Sequence, residues 1–169
     1  MTVSPGRSLL GLHRARRIVI LAASAAARTS RQTERGGILV GHRTPGGVYV
    51  EDTLAVSDPN AGHSHYVRRS KAARAILRDY VGVAEGCSTT GYVGEWHTHP
   101  RPEPPSRIDH ATMRFMVLKN PSTVAMIVAA LGADGRTVEL HGLLGDAASL
   151  HRRIQGRHDK VQVVYRNRP

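Results

Sequence analysis

The chain has 169 residues and carries 24 Lys and Arg against 13 Asp and Glu, a formal net charge of +11. This length suits one domain that buries a core without disulfide or metal staples. The positive charge favours an acidic partner through long-range attraction. Nucleic-acid binding is not predicted as the main function, since the sequence has no zinc knuckle, helix-turn-helix pattern or aromatic platform for stacking bases. The single cysteine, Cys87, lies in a loop-like stretch and is interpreted as a free thiol.

The N-terminal stretch is basic, and the first carboxylate of the chain is Glu34. Residues 14–27 superficially look like a secretory signal, with arginines before a short apolar run and small residues after it. A strand over residues 18–21 and an Ala-rich helix over residues 22–32 is the simpler interpretation. Residues 1–14 are then a basic N-terminal segment. We expect a cytoplasmic protein without membrane contact, because no apolar run is long enough to span a bilayer.

A hairpin is predicted next, from a buried strand at residues 36–42 through a turn at residues 44–47 to a second strand beginning at Val48. Glu34 lies at the mouth of the first strand. A carboxylate there can reach a water molecule on a metal, or it can simply cap the preceding helix. A helix is predicted over residues 66–83, where apolar positions share one face and basic residues lie mostly on the other.

The polar loop at residues 57–64 leads into a His-x-His pair, His63 and His65. The pair has no proline after it and no acidic residue shortly downstream, and Arg68 and Arg69 follow it closely. Positive charge beside a divalent cation is unfavourable. We therefore predict a loop that lines a substrate site and not a metal site.

A second His-x-His pair carries more information. His97 and His99 stand at i and i+2 on a strand predicted from Tyr92, so their side chains point to the same face. Neutral imidazoles are good zinc ligands, and one nearby carboxylate completes a three-ligand site with an open position. Pro100 ends the strand, because proline has no N–H for the ladder.

A carboxylate stands shortly after this pair. A proline-rich loop over residues 101–105 leads to Ser106, a good N-cap for a helix predicted over residues 107–119. Asp109 lies in the first turn of that helix, where the helix dipole favours it and where it can face the imidazoles. Glu95 shares the face of the two histidines. It is a reserve general base, or an acceptor that orients an imidazole N–H.

The C-terminal half continues with an apolar, central strand at residues 123–131, a turn at residues 132–135 and a returning strand at residues 136–144. Residues 146–169 are basic and form a C-terminal extension, expected as an appended helix and strand or a partly ordered tail.

Two strings of residues together are similar to one known family. Glu34 before Gly36-Gly37, and His97-x-His99-Pro100 followed by Ser106 and Asp109, resemble the JAB1/MPN/Mov34 (JAMM) metalloproteases. Residues 94–100 look most like the prokaryotic JAB branch of the family, which includes bacterial deubiquitinase-like isopeptidases. The resemblance covers residues 15–145, with one residue fewer than usual between His99 and Ser106. It implies a single MPN/JAB-type domain of the α/β (α+β) class, a mixed curved sheet flanked by helices, cytidine-deaminase-like.

The resemblance also implies a chemistry. One zinc ion per chain would be held by His97, His99 and Asp109, with Glu34 as proton carrier and Ser106 as a donor to the oxyanion. The bond cleaved would follow the C-terminus of a ubiquitin-like protein or its conjugate. A bacterial conjugation system of the anti-phage type, with E1- and E2-like partners, is the implied context. The alternatives are processing of a sulfur-carrier protein's C-terminus and an inactive JAB scaffold that acts as a binding module.

Overall fold

The computed structural model describes residues 10–12, 33–44, 47–64, 66–83, 90–145, 156, 158–161 and 163–164. The strand predicted at residues 18–21, the helix at residues 22–32, the tip of the first hairpin, Cys87 and residues 146–155 lie outside these described residues.

The described residues form eight strands in one mixed sheet and two helices. The strands are β1 (Leu10–Leu12), β2 (Gly36–Thr44), β3 (Gly47–Ala55), β4 (Gly91–His99), β5 (Val124–Leu131), β6 (Val138–Gly145), β7 (His158–Val161) and β8 (Val163–Val164), and the helices are α1 (Ser70–Val83) and α2 (Arg107–Lys119). Strand order is β7-β6-β5-β4-β2-β3-β1-β8. The β4–β5, β1–β3 and β1–β8 pairs are parallel and the others antiparallel. The predicted α+β class and mixed sheet are confirmed.

Strand β2 is bent by irregular pairing on both of its edges. Its register against β3 shifts between Val40 and Gly41, and its register against β4 shifts between Leu39 and Val40. Such bulges increase local twist and bend a strand. A Cβ atom at Gly41 would run into the backbone carbonyl of Tyr49, so the close approach of β2 and β3 depends on glycine here. The bend gives the sheet its curvature.

Both helices pack on the sheet face that carries His97. Helix α2 buries Met113 and Val117 against Met126 and Val128 of β5 and their neighbours. Helix α1 packs through Ala73 on β2. Every residue of β5 is buried, as expected for a central strand covered on both faces. A second cluster, built around Trp96, which is 1% exposed, fills the opposite face.

Two elements begin more than one residue later than the sequence predicts. Helix α1 begins at Ser70, not at Tyr66, because the Asp58 carboxylate accepts the N–H of Val67 at 2.9 Å and the guanidinium of Arg69 at 3.1 Å. These bonds hold the preceding residues outside the helix. Strand β6 begins at Val138, since Asp134 binds the backbone N–H groups of two residues that were predicted to start the strand. The predicted bounds of α2 are confirmed.

Segments on either side of the predicted core add strands to it. Strand β1, from the basic N-terminal segment, pairs with β3, and β7, from the C-terminal extension, pairs with β6. The proposed boundaries at residues 14/15 and 145/146 stay predictions. Within the described ranges, neither helix combines the length and the apolar character needed to cross a bilayer.

Candidate metal centre

Strand β4 places two imidazoles side by side at its C-terminal end. Because side chains alternate along a strand, His97 and His99 project from the same face. Their Nε2 atoms lie 3.2 Å apart and their ring centroids 5.1 Å apart. Strand β4 lies between β2 and β5, which fixes its backbone on both edges. The strand ends before Pro100, as predicted.

Helix α2 brings Asp109 to the imidazoles. Its Oδ1 lies 3.0 Å from Nε2 of His97, and its Oδ2 lies 3.4 Å from Nε2 of His99. The three side chains are 12%, 8% and 11% exposed for His97, His99 and Asp109 respectively. Their ligand atoms all lie within 4.8 Å of one another. Two imidazoles and one carboxylate are a donor set that suits zinc with an open fourth position.

The helix N-terminus orients this carboxylate. Ser106 Oγ accepts the N–H of Asp109 at 3.2 Å, and Asp109 Oδ2 accepts the N–H of Ser106, which together form a capping box. Ser106 is therefore the N-cap that the sequence predicts. The short loop before it still brings Asp109 within contact distance of both imidazoles.

Asp109 and His99 each shift the pKa of the other toward its charged form. Burial would raise the pKa of Asp109, but hydrogen bonds from His97 and His99 hold it well below its usual range. Burial would likewise lower the pKa of His99, but the bonds with Asp109 and the Glu103 carbonyl outweigh it and raise that pKa. A carboxylate that stays ionised beside two imidazoles is a donor set to which a divalent cation can bind.

A backbone carbonyl selects the tautomer of His99. Its Nδ1 lies 2.9 Å from the Glu103 carbonyl oxygen, which can only accept a hydrogen bond. Nδ1 therefore carries the proton, and Nε2 presents its lone pair to the site. The sequence could not predict this hydrogen bond, because the acceptor is a backbone carbonyl of the proline-rich loop, which any residue type would offer.

Glu34 is held at the other side of the site by the start of β2. Two hydrogen bonds join Arg35 to Thr98, and we call this pair the Thr98 clasp. The Arg35 N–H donates to Thr98 Oγ1 at 2.9 Å, and the Arg35 carbonyl accepts the Thr98 N–H at 2.7 Å. Gly36 pairs with His97, so Glu34, two residues earlier, falls level with His99 on the same face. Its charge contributes to the raised pKa of His99.

One cleft joins these groups. Glu34, His99 and Ser106 line it together with His63 and Ser64 of the polar loop. The N–H of Glu34 donates to the Gly62 carbonyl at 2.8 Å, which ties this loop to the site. The cleft is also lined by Pro100, Arg101, Glu103 and Ile108. His63 thus contributes to a cleft wall, and in the described part of the chain the sole three-residue metal group is His97, His99 and Asp109. His65 lies outside the described residues.

Sequence comparison assigns the family. A family model of prokaryotic homologues of the JAB domain matches residues 16–141. The chain belongs to this family. The resemblance drawn from the two strings of residues is confirmed.

Two solved structures are similar to this chain. The solution structure of a protein from Desulfitobacterium hafniense superposes with a TM-score of 0.62 at 16% identity, over 90% of this chain and 89% of that one. A protein from Salinibacter ruber covers 92% of each chain at 17% identity, with a TM-score of 0.49. The first of these supports the fold alone. No curated protein matches the JAB chain.

The reserve carboxylate of the JAB domain has other partners. Glu95 Oε1 accepts a hydrogen bond from Arg68 Nε at 2.6 Å and from the Tyr92 hydroxyl at 3.2 Å. The Glu95 side chain is 13% exposed, so this ion pair lies in a largely dry environment. The structure places Glu95 on an arginine and not on an imidazole, which leaves Glu34 as the candidate general base.

Tyr66 lines the JAB cleft and was not predicted from the sequence. It lines the inner cleft beside Glu34 and His97, and its hydroxyl donates to the Val56 carbonyl at 2.9 Å. A Cβ atom at Gly36 would collide with the Tyr66 ring and with the Trp96 carbonyl. The glycine of the first motif string therefore makes room for this ring next to the histidines.

Proposed function

We propose that this JAB domain is a zinc-dependent peptidase or isopeptidase. The observation that carries the proposal is a buried His97-His99-Asp109 group that opens into a cleft also lined by Glu34 and Ser106. Three protein ligands and an open position are typical of catalytic zinc sites, whereas structural sites use four protein ligands. The family supports the same chemistry.

Each residue has a separate task. Zinc, if bound by the two imidazoles and Asp109, would lower the pKa of a water molecule toward about 7. Glu34 takes the proton of the attacking water and passes it to the leaving amine. The Ser106 oxygen already accepts the Asp109 N–H. Its hydroxyl can still donate to the oxyanion that develops on the scissile carbonyl. One such donor contributes about 3 kcal/mol to transition-state stabilisation.

We further propose that the substrate is an amide after the C-terminus of a ubiquitin-like protein or its conjugate. Support comes from the family resemblance and from the cleft, to which both the His63 loop and the Arg101 loop contribute. The net charge of +11 suits an acidic protein partner. A bacterial conjugation system of the anti-phage type with E1- and E2-like proteins is the corresponding context. Processing of a sulfur-carrier protein would use the same cleft.

Metal content and one variant test the enzyme proposal. Elemental analysis should find about one zinc per chain in the wild type and a loss in His97→Ala and Asp109→Ala. Glu34→Gln should retain zinc and lose about 10²–10⁴-fold in kcat on a C-terminal amide of a ubiquitin-like protein. Glu139→Gln is the matched control and should leave kcat unchanged, because that side chain is 75% exposed on β6 and does not line the cleft.

The contrary results are specific. A wild type that binds no zinc after careful preparation refutes the hydrolase reading and favours a binding module. Full activity in Glu34→Gln would reject Glu34 as the proton carrier, but it would not contradict the proposed zinc site.

A further inference from the structure

An apolar stripe runs along the exposed side of α2. Of the five exposed large apolar side chains in the described ranges, three belong to this helix: Ile108 is 72% exposed, Phe115 58% and Leu118 46%. Their spacing along the helix places them on one side, with the exposed residues Ala111 and Thr112 between them. We call these five residues the α2 stripe. The opposite side of the helix packs on β5, so the stripe has no part in the core.

The stripe begins in the cleft and continues outside it. Ile108 lines the outer cleft beside Arg101, and both Ile108 and Thr112 line the inner cleft. Phe115 and Leu118 line neither part. At a rise of about 1.5 Å per residue, Leu118 lies about 15 Å along the helix axis from Ile108. The cleft and the stripe therefore form one continuous surface, of which a short peptide in the cleft would contact only the beginning.

Positive charge borders the stripe. Arg107 and Arg114 are exposed beside it, and Lys119 holds its ammonium group 5.5 Å from the centroid of the Phe115 ring. The one carboxylate of the helix, Asp109, is buried in the metal group. Such a surface complements a partner that is apolar in the middle and acidic around it. The same cations oppose contact between the α2 helices of two copies of this chain, because like charges would meet.

We propose that the α2 stripe binds the folded body of the protein whose C-terminal tail enters the cleft. This inference rests on the proposed peptidase function. The partner has an apolar patch bordered by Asp and Glu, within reach of its own C-terminus. A standard interface buries about 800 Å² on each partner, which is more than three side chains supply, so the stripe and the cleft act together.

The position of the stripe predicts how it affects the kinetics. Phe115 and Leu118 lie outside the cleft, so they contact the body of the substrate equally in the ground state and in the transition state. Uniform binding of this kind lowers KM and leaves kcat unchanged. The effect requires a substrate with a folded body.

Kinetics on two substrates with the same tail test the stripe. One substrate is an acidic bacterial ubiquitin-like protein with a fluorogenic amide at its C-terminus, and the other is a peptide of its last few residues with the same amide. The zinc-loaded wild type should have a lower KM for the protein than for the peptide. Phe115→Glu should raise KM for the protein about tenfold or more and leave kcat and the peptide kinetics unchanged.

Two variants are matched controls. Phe115→Leu keeps an apolar side chain, so its KM should stay within about twofold of the wild-type value. Arg78→Glu places the same acidic residue on α1, where the side chain is 79% exposed, and should leave both substrates unaffected. It lowers the net charge by more than Phe115→Glu does, so an effect of overall charge would be larger in this control. Circular dichroism checks the fold, which Phe115→Glu should keep because Glu pairs well with Lys119 four residues later.

Every outcome decides the proposal. An unchanged KM for the protein in Phe115→Glu overturns it, and so does a wild type that cleaves the protein no better than the peptide. If zinc-loaded wild type cleaves neither substrate, the proposed peptidase function has failed, and titration of the uncleaved protein decides the surface. Binding that is lost in Phe115→Glu and retained in Arg78→Glu then supports the stripe, whereas equal binding by Phe115→Glu, or no binding by the wild type, overturns it.

Discussion

Replacing Thr98 with valine tests how Glu34 is positioned. Thr98 is fully buried, and its Oγ1 accepts the Arg35 N–H at 2.9 Å. Valine keeps the shape of the side chain but cannot accept this bond, and a donor left without its partner costs about 1–3 kcal/mol. For a chain of this size, that corresponds to a fall in melting temperature of about 2–12 °C. Because the same clasp holds the segment with Glu34, kcat should fall as well, while zinc binding by the flanking histidines is retained.

Two variants control for this prediction. Thr98→Ser keeps the hydroxyl and should restore most of the lost activity. Thr53→Val makes the same chemical change at another buried threonine, whose Oγ1 has no hydrogen-bond partner among the described residues, so stability should stay equal or rise. The measurements are thermal melting of zinc-loaded protein and kcat on a ubiquitin-like C-terminal amide. Wild-type melting and wild-type kcat in Thr98→Val would refute the clasp as a positioning device.

Three further changes have expected outcomes. Ser106→Ala should lower the free energy of unfolding by about 1 kcal/mol through loss of the N-cap and lower kcat about 10²–10³-fold, measured by urea unfolding and steady-state kinetics; equal kcat would rule out the oxyanion role. In metal-free protein the folded pKa of His99 is raised above 6.5, so its contribution to stability is complete below that value and disappears as the pH rises through the folded pKa. The melting temperature of metal-free protein should therefore fall more between about pH 6 and pH 9 than that of His99→Gln, and parallel curves would contradict this. Gly94→Ala should cost about 1–3 kcal/mol or more, because the added Cβ meets the backbone carbonyl of β5, whereas Gly91→Ala on the same strand has open space and should melt like wild type.

The ligands of the metal group could be predicted because each follows from a local rule. The two-residue spacing of His97 and His99 decides their shared face as soon as the segment is a strand. Ser106 and Asp109 follow from the way in which helices begin, since an N-cap and a first-turn carboxylate are local requirements. The loop between the histidine strand and this helix could be predicted as well, because Pro100 ends the strand. The structure brings these side chains together.

Other parts of the site depend on contacts that form only after folding. The Thr98 clasp reaches a residue 63 positions away, and the Glu95–Arg68 ion pair spans 27 positions. A sequence pattern gives no register between β2 and β4, so neither contact could be read from it. The Glu103 carbonyl is invisible for another reason, because every residue type offers the same backbone acceptor. The start of α1 also depends on a folded contact, since it is set by Asp58 of the preceding loop, nine residues before Val67.

One carboxylate serves both the helix and the metal group, and this sharing decides its orientation. Asp109 Oδ2 accepts the Ser106 N–H, so it is held on the backbone of the cap, and it lies 3.4 Å from His99. Oδ1 has no part in the cap and lies nearer to its histidine, 3.0 Å from His97. Oδ1 is therefore the better-placed metal ligand, and the cap prevents the carboxylate from rotating away. Because helix formation already orients this carboxylate, little further ordering would be needed for it to bind a metal ion.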